Sequence, residues 1–171
     1  IAIAANDADA LQPALTEAMD AGIKVISLDS AVNKDSRQTH IQQADPEKIG
    51  RGLIQAAHEM VDGNGGIAVL SATAQATNQN LWIEWMKKEL EENPEKYANT
   101  PLVKVAYGDD DPTRSTSETQ ALLTDSSIKV IIAPTTVGML AAGKVLQDKQ
   151  SDVKLTGLGL PSEMAPFLSL I

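Results

Sequence analysis

The sequence predicts an α/β fold in which a doubly wound parallel sheet is covered by helices on both faces. Short runs rich in Val, Ile and Leu alternate with longer helical runs about six times along the chain, which is typical of βαβ units. The connections between these runs are short and carry Gly, Pro, Asn and Asp. Hydrophobic residues make up 43% of the 171 residues, enough to bury a core between such layers.

The chain opens with a short strand, expected at residues 1–5. A helix follows over residues 11–21 and is closed by Gly22. Residues 23–28 form the second expected strand, and a polar connection covers residues 33–38. The opening Ile-Ala-Ile-Ala reads as the middle of a buried strand, and no signal peptide precedes it. We therefore expect that this chain is a fragment of a longer protein.

The next helix begins at Asp45-Pro46, a capping carboxylate followed by Pro at the first helical position. The run Gly-Asn-Gly-Gly at residues 63–66 ends it and leads into a strand at residues 67–70. A phosphate-binding loop leads from a strand into a helix, so this run is interpreted as a helix stop. The helix that follows carries Trp82 and Trp85. Its helical spacing favours a core position for Trp85, whereas Trp82 stays open as a residue that stacks on a ligand.

The same alternation continues to the end of the chain. A helix is expected to begin at Asp111-Pro112 and another at Ser162. The other expected elements are strands at residues 102–107, 128–133 and 153–158, and a helix at residues 137–147.

Several function classes are disfavoured by what the chain lacks. It contains no Cys, which excludes disulfides, thiolate zinc sites and Cys nucleophiles. The motifs HExxH, GxSxG and GxxxxGK[ST] are absent, and the two His residues are far apart, so we expect no catalytic site and no metal site. A net charge of −9 argues against nucleic acid, and no apolar run approaches the ~20 residues of a membrane span.

Ligands of such sheets bind where the strands end at their carboxyl ends. The residues that follow the expected strands are short and polar: Asn6-Asp7, Asp29-Ser30, residues 71–80, residues 108–111, Pro134-Thr135-Thr136 and residues 159–161. They contain amide, hydroxyl and carboxylate groups but no Lys or Arg of the kind that holds a phosphate. Each hydroxyl of a sugar needs a donor and an acceptor, so this chemistry suits a neutral polyol.

Two acidic features among these positions have more than one interpretation. Asp29 follows an apolar strand, where its carboxylate could take two neighbouring sugar hydroxyls; the alternative is that it caps a turn. Asp109-Asp110-Asp111 could hold a metal, but the run lacks the spacing of a calcium loop. Capping by Asp111 and solvation of the other two explain it better.

Five stretches carry a resemblance to a known family: residues 1–9, 25–30 (VISLDS), 76–82 (ATNQNLW), 131–138 (IIAPTTVG) and 153–161 (VKLTGLGLP). Together they resemble the periplasmic binding proteins of ribose-binding (type I) architecture. Within that family they are most similar to the branch of rhamnose-binding proteins and the autoinducer-2 receptor. Such proteins have two lobes joined by a hinge, and they close over a sugar.

The resemblance implies a domain division and a set of binding residues. Residues 1–31 would be the end of the first lobe, residues 32–34 the hinge, and residues 35–171 most of the second lobe. The ligand-binding residues would be Asp29, Asn78, Gln79, Pro134 and Thr136. The autoinducer-2 receptor typically has Asp at the position of Asn78 and Ala at that of Thr136, and both differences favour the rhamnose-binding branch.

The function implied by the resemblance is capture of a monosaccharide, rhamnose above all, and its delivery to the permease of an ABC transporter. Such a protein needs no cofactor, is not an enzyme, does not insert into the membrane, and is periplasmic or a cell-surface lipoprotein. Three alternatives share the fold: an autoinducer-2 receptor, the sugar-sensing half of a regulator, and an enzyme on a doubly wound sheet.

Overall fold

The computed structural model describes residues 1–170 and arranges them around two parallel sheets. Strands β1 to β7 span Ala2–Ile3, Ile26–Leu28, Thr39–Ile41, Gly66–Ser71, Leu102–Tyr107, Ile128–Ala133 and Lys154–Gly157. Helices α1 to α6 span Gln12–Asp20, Pro46–Met60, Thr77–Glu92, Pro112–Leu122, Thr136–Asp148 and Pro161–Met164. Short 3-10 helices cover Lys34–Ser36 and Ala165–Leu170. The predicted α/β class with parallel sheets is confirmed.

The smaller sheet has the order β1-β2-β3, and all of its strands are parallel. Its core is a small cluster of buried apolar side chains: Ala5, Leu15, Val25 and Val32. We call this part, residues 1–41, the first unit.

The predicted domain division does not match the strand pairing. The expected second lobe begins at residue 35, after a hinge at residues 32–34, but Thr39–Ile41 pairs with β2 in the smaller sheet. The chain therefore turns through a 3-10 helix after β2 and returns to the same sheet, and it changes sheets between Ile41 and Gly66. A three-residue strand is too short to give a hydrophobic period, so the sequence pattern did not reveal it. That a hinge lies at residues 32–34 stays a prediction. The last residue of the predicted second lobe, Ile171, lies outside the described residues.

The larger sheet has the order β5-β4-β6-β7, and helices cover both of its faces. All six residues of β4 are buried, as expected for a central parallel strand. One face packs on α2 and α3 around Ile54, Trp82 and Met86. The other face packs on α4 and α5 around Leu122, Leu146 and Phe167. We call residues 46–170 the second unit.

Two helices of the second unit begin as the sequence predicts. The Asp45 carboxylate accepts hydrogen bonds from the backbone N–H of Glu47 and Lys48, with Pro46 at the first helical position. Asp111 accepts from the backbone N–H of Arg114 at 2.7 Å, with Pro112 next to it. These caps fix where α2 and α4 begin.

The contact between α2 and α3 contains a buried carboxylate. Glu89 accepts hydrogen bonds from Arg51 at 2.8 Å, from the Tyr97 hydroxyl at 2.7 Å and from Gln55 at 3.1 Å. Burial alone would raise the pKa of Glu89, but these donors outweigh it and lower the pKa below its ordinary value of 4.5. The fold therefore stabilises the charged form of Glu89.

Of the two tryptophans of α3, Trp85 is not where the sequence predicts it. Trp82 is the buried one, with 2% of its surface exposed. Trp85 is only partly buried, and Lys88 Nζ lies 4.0 Å from its ring centroid, with the Arg51 guanidinium at 5.2 Å. The core assignment of Trp85 was wrong because α3 packs through residues one turn apart on the side of Trp82 and Met86, while Trp85 faces the rim of the α2–α3 contact.

Candidate functional site

A cavity of about 320 Å³ lies where the first and second units meet, at the carboxyl ends of their strands. Its walls are formed by Asn6, Asp29, Ser30, Gln43, Ala76, Asn78, Gln79, Trp82, Asp110, Pro134, Thr135, Thr136, Val137 and Leu158. All five predicted binding residues are among them, so the structure brings together positions that are up to about a hundred residues apart in sequence. That these five bind a ligand stays a prediction.

Asp29 lies directly after β2 and has a left-handed backbone, with φ 58°. Asp is among the few residues that adopt this conformation at small cost. Its Oδ1 accepts one hydrogen bond from Gln43 Nε2 at 2.7 Å and another from Asn78 Nδ2 at 3.0 Å. Within the described residues no group donates to Oδ2. The carboxylate is therefore held in one orientation by two amides, with one oxygen left for another partner.

Asn78 and Gln79 lie in the first turn of α3. The Asn78 Oδ1 accepts from the Gln79 backbone N–H at 2.7 Å. Gln79 Oε1 accepts from the Ser71 hydroxyl at 2.7 Å and from the Ala72 N–H at 2.8 Å, at the end of β4. A backbone N–H can only donate, so Oε1 is assigned without ambiguity and the Gln79 Nε2 amide is turned away from the strand. Nε2 is a donor with no acceptor in the described part of the chain.

Pro134 and Thr136 flank the start of α5. Pro134 follows β6 directly and is buried, while Thr136 is the first residue of the helix and is partly exposed. The helix begins at the cavity, so its first backbone N–H groups, which lack partners inside the helix, lie near the ligand space.

Most of the other residues of the cavity wall lie directly after strands that the sequence predicts, but some do not. Asn6, Ser30 and Asp110 are among the polar residues that follow predicted strands, although they were not selected as binding residues. Gln43 was missed because it follows β3, the strand that the sequence pattern did not reveal. Leu158 was missed because it was placed inside the last strand, which in the structure ends at Gly157.

The charge and polarity of the wall limit what the cavity accepts. Asp29 and Asp110 are its two carboxylates, and no Lys, Arg or His is among the lining residues. A phosphate or a second carboxylate would be repelled there, whereas a neutral molecule that donates hydrogen bonds is favoured. Trp82 also lines the cavity, and its indole N–H is the one buried side-chain donor of the described residues that has no partner. A buried side-chain donor without a protein partner is unusual in a folded protein.

Direct hydrogen bonds join the two units beside the cavity. The Thr77 hydroxyl, in the first turn of α3, accepts from the Ala31 backbone N–H at 2.8 Å. The Thr73 hydroxyl donates to the Asn6 carbonyl at 2.6 Å. Together with the Asn78–Asp29 bond, these contacts fix the start of α3 against the strand ends of the first unit.

Residues 1–170 contain no cluster of three or more His, Asp or Glu that could hold a metal ion. Among the helices of the same range, none combines the length and apolar character that crossing a membrane requires.

Comparison with known proteins identifies a protein family and several solved structures that this chain matches. A family model described as a periplasmic binding protein domain matches residues 1–169. The crystal structure of an ABC transporter solute binding protein from Clostridium phytofermentas, with bound L-rhamnose, is 54% identical over 97% of this chain and 52% of its own, with a TM-score of 0.90. A sugar ABC transporter structure from Actinomyces odontolyticus is 42% identical over 98% of this chain and 55% of its own, with a TM-score of 0.71.

A third structure shares the fold. LsrB from Clostridium saccharobutylicum, in complex with AI-2, has a TM-score of 0.86 at 24% identity. It covers 99% of this chain and 55% of its own. This chain thus spans about half the length of the solved structures that it matches.

Proposed function

This chain belongs to the periplasmic binding protein family, and we propose that it is part of an extracytoplasmic solute-binding protein that captures a neutral monosaccharide and passes it to the permease of an ABC transporter. In this role the protein binds and releases its ligand unchanged, so it is not an enzyme. The proposal applies to the full-length protein, because the relatives are about twice as long as this chain.

The observation that carries the proposal is the pair of fixed polar groups in the cavity. The Asp29 carboxylate, oriented by Gln43 and Asn78, offers an acceptor, and the Gln79 amide offers a donor. Neighbouring hydroxyls of a sugar ring can each donate to the carboxylate and accept from the amide. Because both groups are already held by other bonds, little side-chain entropy is lost when the sugar binds.

L-rhamnose is the sugar that we propose. A relative at 54% identity was solved with bound L-rhamnose. The wall also has an apolar part, formed by Ala76, Trp82, Val137 and Leu158, which suits the methyl group of a 6-deoxyhexose. The differences from the autoinducer-2 receptor at Asn78 and Thr136 make AI-2 the less favoured ligand.

Binding is coupled to closure in this proposal. The first unit supplies Asp29, and the second unit supplies Asn78 and Gln79, so a ligand in the cavity contacts both. A ligand that gains contacts only in the closed arrangement raises the population of that arrangement. The closed form then presents a single surface to the permease.

A melting-temperature panel tests the proposal. The full-length protein is heated alone and with L-rhamnose, L-fucose, D-ribose, D-glucose or AI-2, and each ligand is recovered and identified afterwards. A ligand at a hundredfold excess over its Kd stabilises the folded state by about 2.7 kcal/mol, which is a shift of several degrees. We expect the largest shift with L-rhamnose, which is recovered unchanged. A shift with AI-2 alone, a chemically altered sugar, or no shift with any ligand would each refute the proposal.

A further inference from the structure

The run Asp109-Asp110-Asp111 contains one residue whose role neither capping nor solvation explains. Asp111 caps α4, and the Asp109 carboxylate forms an ion pair with Arg114 at the surface. Asp110 does neither: it lines the cavity that Asp29 lines. The three acidic side chains of this run therefore have three separate environments, and only the middle one faces the candidate site.

The loop that carries Asp110 is held in an uncommon backbone conformation. Asp109 and Asp110 both have φ 53°, in the left-handed region. Residues other than Gly are uncommon in this region, and those that adopt it are often found at functional sites. The Gly108 and Asp109 N–H groups donate to the carbonyls of Ser71 and Ala72 at 2.8 and 2.9 Å, which fixes the loop to the end of β4.

Thr135 orients the Asp110 carboxylate. Its hydroxyl donates to Asp110 Oδ1 at 2.6 Å. Thr135 is also the N-cap residue of α5, where a Thr hydroxyl normally accepts from the first turn, but here it makes no capping hydrogen bond. Forgoing a cap costs about 1 kcal/mol. Thr135 thus gives up the usual N-cap hydrogen bond and instead holds a carboxylate at the cavity wall, and such departures from local preference are expected at binding sites.

We infer that Asp110 is a second ligand-binding carboxylate, which accepts a hydrogen bond from a hydroxyl of the same sugar that Asp29 holds, and that Thr135 positions it. This inference rests on the proposed function and deepens it. The two carboxylates come from different units, so they accept from hydroxyls on different parts of the ring. They select a neutral ligand with at least two separated hydroxyl groups, and they exclude uronates and sugar phosphates by charge.

The test is a calorimetric titration of the full-length protein with L-rhamnose. Asp110→Asn keeps the size of the side chain and removes its charge, and Asn tolerates the left-handed backbone. We expect its Kd to rise about 10- to 100-fold, the range for a hydrogen bond to a charged group. Asp109→Asn, in the same loop but on the surface, is the matched control and should stay within about twofold. Thr135→Val should weaken binding by a smaller factor, and Thr135→Ser should restore it.

Deoxy sugars identify the contact itself. One of the monodeoxy derivatives of L-rhamnose should bind wild type and Asp110→Asn with the same Kd, because it lacks the hydroxyl that Asp110 accepts from. The remaining derivatives should still distinguish the two proteins. Equal affinity of Asp110→Asn and wild type for L-rhamnose, or an undiminished difference with every deoxy derivative, would overturn the inference alone. Failure of wild type to bind any neutral monosaccharide would instead refute the proposed function and the inference with it.

Discussion

A close approach of α2 and α3 at Gly50 leads to a prediction whose magnitude follows from the structure. A Cβ on Gly50 of α2 would lie 2.4 Å from the Trp82 carbonyl oxygen and 2.6 Å from the Trp85 Cβ. Ordinary contacts begin at 3.4 Å, so α2 and α3 would have to separate by about 1 Å (3.4 − 2.4). The nearest obstacle is backbone, which cannot rotate away as a side chain can.

Gly52, two residues further along the same helix, is the matched control. A Cβ there has nothing within 4 Å. Replacing an exposed helical Gly by Ala stabilises a helix by about 0.8–1 kcal/mol. Gly52→Ala should therefore raise the free energy of unfolding by up to about 1 kcal/mol. Gly50→Ala gains the same helix propensity but adds overpacking of about 1–3 kcal/mol, so it should be less stable than Gly52→Ala by about that amount.

Urea denaturation of the full-length variants measures this difference, provided that both have the same slope with denaturant. Because α3 also carries Asn78 and Gln79, Gly50→Ala should weaken sugar binding, whereas Gly52→Ala should not. Equal unfolding free energies for the two variants would refute the packing argument.

Three further predictions concern the buried carboxylate, the contact between the units and the exposed apolar surface. The lowered pKa of Glu89 means that its stabilising contribution is fully present above pH 4.5, the ordinary pKa of the group, and is lost as the pH falls below 4.5 and through the lower pKa of the folded state. Glu89→Gln should therefore be less stable than wild type at neutral pH and should lose less stability on acidification. If the melting temperatures of the two proteins fell in parallel as the pH is lowered, the prediction would be contradicted. Thr77→Val removes the acceptor for the Ala31 N–H, so it should raise the Kd of every ligand by a similar factor of about 3 to 10 and leave the order of their affinities unchanged. Thr77→Ser keeps the hydroxyl and should bind as wild type does. A change in ranking would place Thr77 in ligand recognition instead. In residues 1–171, Leu28 and Ile41 lie on neighbouring strands and are 40% and 54% exposed. Light scattering of this chain should therefore show self-association, and the double variant Leu28→Thr/Ile41→Thr should reduce it. A monomer that melts cooperatively would contradict the prediction.

Much of the second unit could be predicted from local chemistry. Pro46 and Pro112, each preceded by an Asp cap, mark where two helices begin, and β5 and β6 have the expected bounds because Gly108 and Pro134 end their runs. These signals lie within a few residues of one another in the sequence. They need no knowledge of tertiary contacts, and this is why they were sufficient.

The first unit and the orientation of side chains could not be predicted in the same way. The strand β3 is only three residues long and is formed by its pairing with β2, which is a tertiary contact. With it, Gln43 and its hydrogen bond to Asp29 were missed. The inward position of Trp82 depends on how α3 packs on α2, and the role of Asp110 depends on the Thr135 hydroxyl, 25 residues away.

In the proposed function Asp29 anchors a neutral sugar between the two units, and a calorimetric titration of L-rhamnose into the full-length protein tests this role most directly. Asp29→Asn is the chosen variant because Asn keeps the left-handed backbone and removes the charged acceptor. Asp35→Asn, an exposed Asp outside the cavity wall, is the control. We predict saturable binding by wild type and by Asp35→Asn, with a Kd about 10- to 100-fold higher in Asp29→Asn. Equal binding by wild type and Asp29→Asn, with both variants folded, would contradict the claim.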